Sequence, residues 1–178
     1  MATITSDQIH TFLTELGSQY TRPATLVLLG GGALCLLGSE RPTMNIDYVG
    51  NDIRKNDLQR VIDGVAEQLQ IVIDAVPIEQ FIPFPPGSDN RRMLIGQFGQ
   101  ITVYVLDPYT IALSKLDRGF DTDIDDVVFL IRRNFIAFQQ LEEVVQNALQ
   151  RANEFSLDPQ AIRSHLQSVQ NLLVEGVG

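Results

Sequence analysis

A chain of 178 residues, 44% of them hydrophobic, is long enough to form one compact domain with its own core. Its net charge of -9 argues against electrostatic binding to extended duplex DNA or RNA, which needs a basic surface. The single cysteine, Cys35, excludes an internal disulfide, and no apolar run reaches the roughly 20 residues of a membrane span. The first residues also lack the basic and apolar regions of a signal peptide. We therefore expect a cytoplasmic protein without membrane contact.

In the first half of the chain, helical and strand-like patterns alternate. Continuous apolar runs are typical of central strands, and apolar residues spaced three and four apart are typical of helices that bury one side. The predicted elements are, in order, a helix from Ser6 or Asp7 to about Leu16, a strand over 24–29, a brief helix over 32–38, a strand over 44–49 with Met44, Ile46 and Tyr48 on one face, a helix from Asn51 or Asp52 to about Gln68, and a strand over 70–75.

The second half begins with a loop and a hairpin and then contains only helices. Its predicted elements are a Pro- and Gly-rich loop from Phe81 to Ser88, strands over about 92–98 and 101–106 joined at Gly99-Gln100, a helix from Asp107 to about Asp117, a helix through Arg133 capped by Thr122-x-x-Asp125, and amphipathic helices over about 137–153 and 158–174. This order predicts an α/β (α+β) fold, with a small mixed β-sheet and flanking helices. We divide it into a domain of residues 1–134 and a C-terminal helical pair, 135–178, that either completes the local core or mediates self-association.

Three glycines end an apolar run, and a strand with polar residues follows shortly after them. Gly30, Gly31 and Gly32 allow the backbone to approach a phosphate closely, because glycine has no Cβ atom. Asn45 and Asp47 stand at positions i and i+2 of the next strand, so their side chains point to the same face. The glycines alone favour a plain tight turn, but together the two features predict a site for a nucleotide and a divalent metal ion.

These residues resemble the nucleotidyltransferase superfamily, which has the polymerase-beta-like fold. Its signature is a Gly-Gly or Gly-Ser turn, a short helix, and Asp-x-Asp/Glu on the next strand. The form in this chain, Gly-Gly-x-Ala followed by Arg41-x-Thr43-x-Asn45-x-Asp47, looks most like the minimal nucleotidyltransferases and the AbiEii-like toxins of toxin–antitoxin systems. A later segment with Lys115, then Arg118, then Asp123-x-x-Asp126 is similar to the Lys…Arg…Asp-x-x-Asp segment of those families, so the resemblance covers residues 24–133.

The resemblance implies that an NTP binds with Mg²⁺ or Mn²⁺ and that NMP is transferred to a hydroxyl group. Gly30, Gly31 and Gly32 are then expected to hold the phosphates, and Asp47 to ligate the metal. Asn45 stands where the family usually has its first acid. An amide oxygen can ligate Mg²⁺, but it brings one negative charge fewer than a carboxylate. Either the enzyme works weakly or with one metal ion, or the site has been given up.

Further candidates surround this motif, each with a structural alternative. Asp74 is either a third metal-binding and catalytic acid or a cap at the end of its strand. Arg41, with Thr43, either approaches a phosphate or the acceptor, or is a loop cation. Lys115 as a catalytic residue and Arg118 as a phosphate ligand either neutralise the triphosphate or are cations near the C-terminal end of a helix. Asp123 and Asp126 are either favourable acids in the first turn of a helix or partners of those two cations.

Three functional hypotheses remain open from the sequence. The first is a nucleotidyltransferase whose acceptor is a protein, a tRNA end or a small molecule. The second is a catalytically inactive interaction module, for example a toxin–antitoxin component that forms a homodimer or binds a partner protein. The third is a purely structural α/β domain that binds no nucleotide.

Overall fold

The computed structural model describes residues 2–176, which form two compact units. The first comprises the residues up to Ile78 together with Arg92–Leu106, and the second comprises Glu79–Arg91 and the residues from Asp107 onward. The division into 1–134 and 135–178 stays a prediction, and its outermost residues, Met1, Val177 and Gly178, lie outside the described part.

The first unit is a five-stranded mixed sheet with three helices. Its elements are α1 (Ser6–Gln19), β1 (Ala24–Leu29), α2 (Gly30–Leu36), β2 (Asn45–Val49), α3 (Asp57–Leu69), β3 (Val72–Val76), β4 (Met93–Phe98) and β5 (Ile101–Val105). The strand order is β3-β2-β1-β5-β4. β1 runs parallel to β5 and antiparallel to β2, while β2 and β3 are parallel and β4 and β5 are antiparallel. The predicted small mixed sheet with flanking helices is confirmed.

Apolar side chains explain the central position of β1 and the packing of the helices. Leu26, Leu28 and Leu29 of β1 are buried, as the continuous apolar run predicted. α1 and α3 pack against each other, and the buried residues of these helices include Phe12 and Ile62. The core of this unit therefore comes from the same apolar periodicity that predicted its elements.

Two predicted boundaries in the first unit are wrong because local hydrogen bonds hold the backbone in another conformation. α3 does not begin near Asn51: the Asn51 side chain accepts cap-like hydrogen bonds from the N–H groups of Ile53 and Arg54, at 2.8 Å each, but they close only a bend over 52–54. The helix begins at Asp57, where Asn56 and Gln59 form a capping box. β3 begins at Val72 rather than at residue 70, because Gln70 ends α3 in a left-handed conformation with φ 54°.

Smaller differences affect the two elements next to the glycines. Helix α2 begins at Gly30, so the glycines form its first turn instead of preceding it. β2 begins at Asn45, and Met44, which was expected in the strand on one face with Ile46 and Tyr48, precedes it and is 45% exposed. Ile46 and Tyr48 are buried, and Asn45 and Asp47 point to the opposite face of the strand, as predicted.

The second unit is helical. It contains a 3₁₀ helix (Ser88–Arg91), α4 (Pro108–Arg118), α5 (Asp121–Arg132), α6 (Phe138–Leu149), α7 (Ala152–Phe155) and α8 (Pro159–Glu175). Helix α8 packs against α4, α5 and α6, and Leu141, Val145, Ile162 and Val169 are buried, so the C-terminal helices contribute to the core of this unit. Self-association stays a prediction. Within residues 2–176, no helix combines the length and the apolar character needed to cross a membrane.

Two details of the helical unit differ from the expectations. The cap of α5 is not Thr122-x-x-Asp125, because the Asp123 side chain accepts a hydrogen bond from the N–H of Phe120 (3.2 Å) and the helix begins at Asp121. The helix expected over 137–153 is broken into α6 and α7, since Arg151 leaves the helical conformation, with φ -108° and ψ 21°.

Candidate functional site

Two aspartates face each other across neighbouring strands of the sheet. Asp47 on β2 and Asp74 on β3 are partners in the register of the parallel pair, so their side chains lie on the same face. Asp47 is half-buried and Asp74 is exposed. Asp74 lies in the middle of β3 and not at its end, so it is not the strand-end cap that the sequence left open. The structure thus brings together two of the three predicted metal ligands as a carboxylate pair.

The third predicted ligand, Asn45, touches both of these carboxylates. Its amide nitrogen Nδ2 donates hydrogen bonds to Oδ1 of Asp47 and to Oδ2 of Asp74, each at 2.9 Å. Both amide hydrogens are therefore used, one for each carboxylate. Asn45 links the two acids across the strand pair, a role that the sequence did not predict.

The glycines lie directly against the side chains of the Arg41-x-Thr43-x-Asn45-x-Asp47 segment. Gly30 has a left-handed φ of 72°, and a Cβ atom at this position would collide with Oδ2 of Asp47. A Cβ atom on Gly31 would lie 2.6 Å from Oγ1 of Thr43, closer than such contacts allow. At Gly32 the closest approach would be an ordinary 3.5 Å. Two of the three glycines are therefore required by the close approach of α2 to this segment.

Arg41 and Thr43 occupy the same region. Thr43 is only 6% exposed, and its hydroxyl group donates a hydrogen bond to the backbone carbonyl of Asn45 (3.1 Å). Arg41 is half-buried, and its Nη2 would lie 3.6 Å from a Cβ atom built on Gly31. The structure thus gathers glycines, a guanidinium group and two carboxylates within one part of the sheet unit.

The side chains of this part fit one Mg²⁺ that also takes ligands from a substrate. Mg²⁺ in proteins is usually held by one or two carboxylates, together with substrate phosphates and water. Asp47 and Asp74 supply two carboxylates, and Asn45 supplies an amide oxygen only if its amide group turns. Among residues 2–176, no group of three or more His, Cys, Asp or Glu side chains is arranged to hold a metal ion. Asp47 and Asp74 could therefore hold such a cation only as part of a larger set of ligands.

The other predicted site residues lie in the helical unit and form a buried ion-pair cluster. Lys115 is 4% exposed, and its Nζ lies 2.8 Å from Oδ2 of Asp126 and 3.6 Å from Oδ1 of Asp123. Asp123 and Asp126 are 1% and 2% exposed. The two acids are thus partners of a predicted cation, which was one of the alternatives from the sequence. The burial of Lys115 favours a structural role for this side chain.

Arg118 belongs to the same cluster but stays accessible from solvent. Its Nη2 donates to Oδ1 of Asp123 (2.6 Å), while its side chain is 61% exposed. Burial by itself raises the pKa of Asp123, but the hydrogen bond from Arg118 and the positive charges of Lys115 and Arg118 outweigh burial and lower it below its ordinary value. Asp123 is therefore kept ionised, as a partner for two cations.

A second buried ion pair in the helical unit was not predicted. Asp107, with 0% exposure, accepts hydrogen bonds from Nε and Nη2 of Arg91, at 2.9 and 2.8 Å. Arg91 also donates to the carbonyl of Pro86 (2.8 Å), so it ties the proline-rich loop to the start of α4. The Asp107-Pro108 sequence indicated the start of a helix, but it carried no signal for the distant arginine.

Residues 7–165 match the family described as "Nucleotidyltransferase of unknown function (DUF6036)". No curated protein and no solved structure matches the chain. The matched region includes the glycines, the carboxylate pair and the buried cluster of the helical unit. The narrower resemblance to AbiEii-like toxins stays a prediction. Because the match covers far more than half of the chain, the protein belongs to this nucleotidyltransferase family.

Proposed function

We propose that the protein binds an NTP together with Mg²⁺ or Mn²⁺ and transfers the NMP group to a hydroxyl acceptor. The observation that carries this proposal is the register pairing of Asp47 with Asp74, beside the left-handed Gly30 that packs against Asp47. Membership of a nucleotidyltransferase family supports the same chemistry. The two carboxylates would hold the metal, with the remaining ligands coming from phosphate oxygens and water.

The neighbouring residues have separate roles in this proposal. The backbone at Gly30 and Gly31 receives the phosphates, since no Cβ atom stands in the way. Arg41 adds a positive charge beside Gly31, and buried Thr43 fixes the backbone of Asn45. When bound, the metal ion supplies the charge that activates the acceptor hydroxyl and stabilises the leaving pyrophosphate.

The transfer balances as a simple substitution at the α-phosphorus. The acceptor oxygen forms a bond to the α-phosphorus, and the bond from that phosphorus to the oxygen that bridges to the β-phosphate breaks. Pyrophosphate leaves with that oxygen. The hydroxyl proton passes to the carboxylate of Asp74, the more exposed member of the pair, and from there to solvent.

The acceptor and the setting belong to the same proposal. The net charge of -9 favours a protein, a tRNA end or a small molecule over extended duplex nucleic acid. We place the reaction in the cytoplasm. Whether the protein acts as a homodimer or with a partner protein is a question for a measurement of its oligomeric state.

A second candidate function is a catalytically inactive interaction protein, for example a toxin–antitoxin component. One specific observation favours it: the Asn45 amide donates to both carboxylates that a metal would need. In this case the chain keeps the fold and a nucleotide pocket but transfers nothing.

Labelled nucleotides separate the two candidates. Wild-type protein is incubated with each α-phosphate-labelled NTP, with Mg²⁺ or Mn²⁺, and with either tRNA or a cytoplasmic extract of proteins and small molecules. We expect it to transfer the label to one acceptor fraction and to release an equal amount of pyrophosphate. Asp47→Asn should reduce the rate by about 100- to 1,000-fold, because it removes a charge needed in the transition state. Asp52→Asn, which makes the same change on an exposed loop residue, should leave it unaltered. NTP binding without label transfer by wild-type protein would contradict the enzyme and support the inactive module.

A further inference from the structure

Asn45 contacts the two carboxylates of the pair from a position between them, as a bound cation would. One nitrogen atom, Nδ2, lies 2.9 Å from a carboxylate oxygen of Asp47 and 2.9 Å from a carboxylate oxygen of Asp74. The amide hydrogens carry partial positive charge and point at those two oxygens. The repulsion between two carboxylates that face each other on paired strands is thereby reduced without any metal ion.

The same amide hydrogens oppose the entry of a free divalent cation. Mg²⁺ needs oxygen ligands at 2.0–2.1 Å in near-octahedral geometry. A cation held by both carboxylates would therefore meet the positively polarised hydrogens of Nδ2, which already bond to Oδ1 of Asp47 and Oδ2 of Asp74. Only when the amide group turns does Asn45 offer its Oδ1 in place of Nδ2, and the turn breaks both hydrogen bonds.

We propose that the Asn45 amide closes the carboxylate pair to free divalent cations. The two hydrogen bonds from Asn45 Nδ2 to Asp47 and Asp74, called the bridge below, and a bound cation then exclude each other. This closure has a consequence, which rests on the proposed function: the cation enters the site only with the phosphates of a nucleotide. Phosphate oxygens supply the ligands that two carboxylates lack, so the cation that they bring is held strongly enough to offset the two hydrogen bonds that the turn breaks. The amide of Asn45 thus makes metal uptake depend on the nucleotide.

Binding of free Mn²⁺ tests the bridge without any assay of activity. The electron paramagnetic resonance signal of free Mn²⁺ is followed while wild-type protein, Asn45→Asp or Asn51→Asp is added in the absence of nucleotide. We expect Asn45→Asp to bind Mn²⁺ about 10-fold or more tightly than wild-type protein, because it replaces the donor by a third carboxylate. Asn51→Asp is the matched control: it adds the same charge in the same unit, where the Asn51 side chain accepts two backbone hydrogen bonds. It should behave like wild-type protein.

A second variant and a second measurement guard against loss of the fold. Asn45→Ala removes the bridge without adding a charge, so its Mn²⁺ affinity should also rise severalfold above that of wild-type protein. The unfolding temperature of Asn45→Asp should increase when Mn²⁺ is added, since a cation bound only by the folded state stabilises it. The unfolding temperature of wild-type protein should not change.

The bridge is overturned if wild-type protein binds free Mn²⁺ as tightly as Asn45→Asp, or if Asn45→Ala binds no more tightly than wild-type protein. Failure of the proposed function gives a different result. In that case wild-type protein transfers no labelled NMP, whether or not it binds an NTP with Mn²⁺, while the differences between the Asn45 variants and the control in free Mn²⁺ persist and support the bridge.

Discussion

Replacing Lys115 by methionine is expected to lower the free energy of unfolding by about 3–5 kcal/mol. Lys115 is almost fully buried, and its ammonium group bonds to Asp126 and lies near Asp123, which are themselves 2% and 1% exposed. Removing the cation leaves the buried carboxylate of Asp126 without the ammonium group 2.8 Å away, while Asp123 keeps its bond to Arg118. Methionine fills a similar volume, so the loss reports mainly on the charge.

Urea unfolding of Lys115→Met measures this loss, with Lys55→Met as the matched control. Lys55 also pairs with an aspartate, Asp63, at 2.7 Å, but both side chains are about 40% exposed. An exposed pair contributes only about 0–1 kcal/mol. Adding Asp126→Leu to Lys115→Met should recover much of the loss, since an apolar pair can replace a buried ion pair. If Lys115→Met and Lys55→Met lower the free energy of unfolding by the same amount, the cluster does not stabilise the helical unit.

Gly30→Ala is expected to destabilise the protein by about 2–5 kcal/mol. Gly30 has φ 72°, a left-handed conformation that costs a residue with a Cβ atom about 1–2 kcal/mol. The new Cβ atom would also collide with the Asp47 carboxylate, and overpacking of this kind costs about 1–3 kcal/mol. Because Asp47 must move to make room, its hydrogen bond with Asn45 is lost as well.

Gly64→Ala is the control for this change. Gly64 lies within α3, and beyond its chain neighbours and the adjacent helix backbone no atom lies within 4 Å of the position of an added Cβ, so alanine should stabilise the helix by about 0.5–1 kcal/mol. The two variants are thus expected to change the midpoint of urea unfolding in opposite directions. A Gly30→Ala protein as stable as wild type would mean that α2 does not need to approach Asp47 so closely.

The sequence predicted the elements of the fold wherever one local pattern decided the structure. The apolar run of β1 identified the central strand, and the alternation of Ile46 and Tyr48 with Asn45 and Asp47 identified the two faces of β2. The start of α3 was wrong because two patterns competed there. Asn51 and Asn56 both accept the backbone hydrogen bonds of a helix cap, but those of Asn51 close only a local bend, and the helix begins at Asp57, after the capping box of Asn56 and Gln59.

The candidate site could be predicted in its parts but not in its contacts. Spacing along one strand was enough to place Asn45 and Asp47 on one face. The hydrogen bond from the Asn45 side chain to the Asp74 carboxylate joins residues 29 positions apart. It exists only because β2 and β3 pair in one particular register. The burial of Lys115 has the same origin, since helical spacing gives the face of a residue but not what covers that face.

The most direct measurement is calorimetric titration of each NTP into wild-type protein and into Asp47→Ala, first with Mg²⁺ and then with Mn²⁺. We predict that wild-type protein binds at least one NTP only when the metal is present, and that Asp47→Ala loses this binding while remaining folded by circular dichroism. Absence of binding for every NTP, or equal binding by wild-type protein and Asp47→Ala, would contradict a nucleotide–metal site at Asp47 and Asp74.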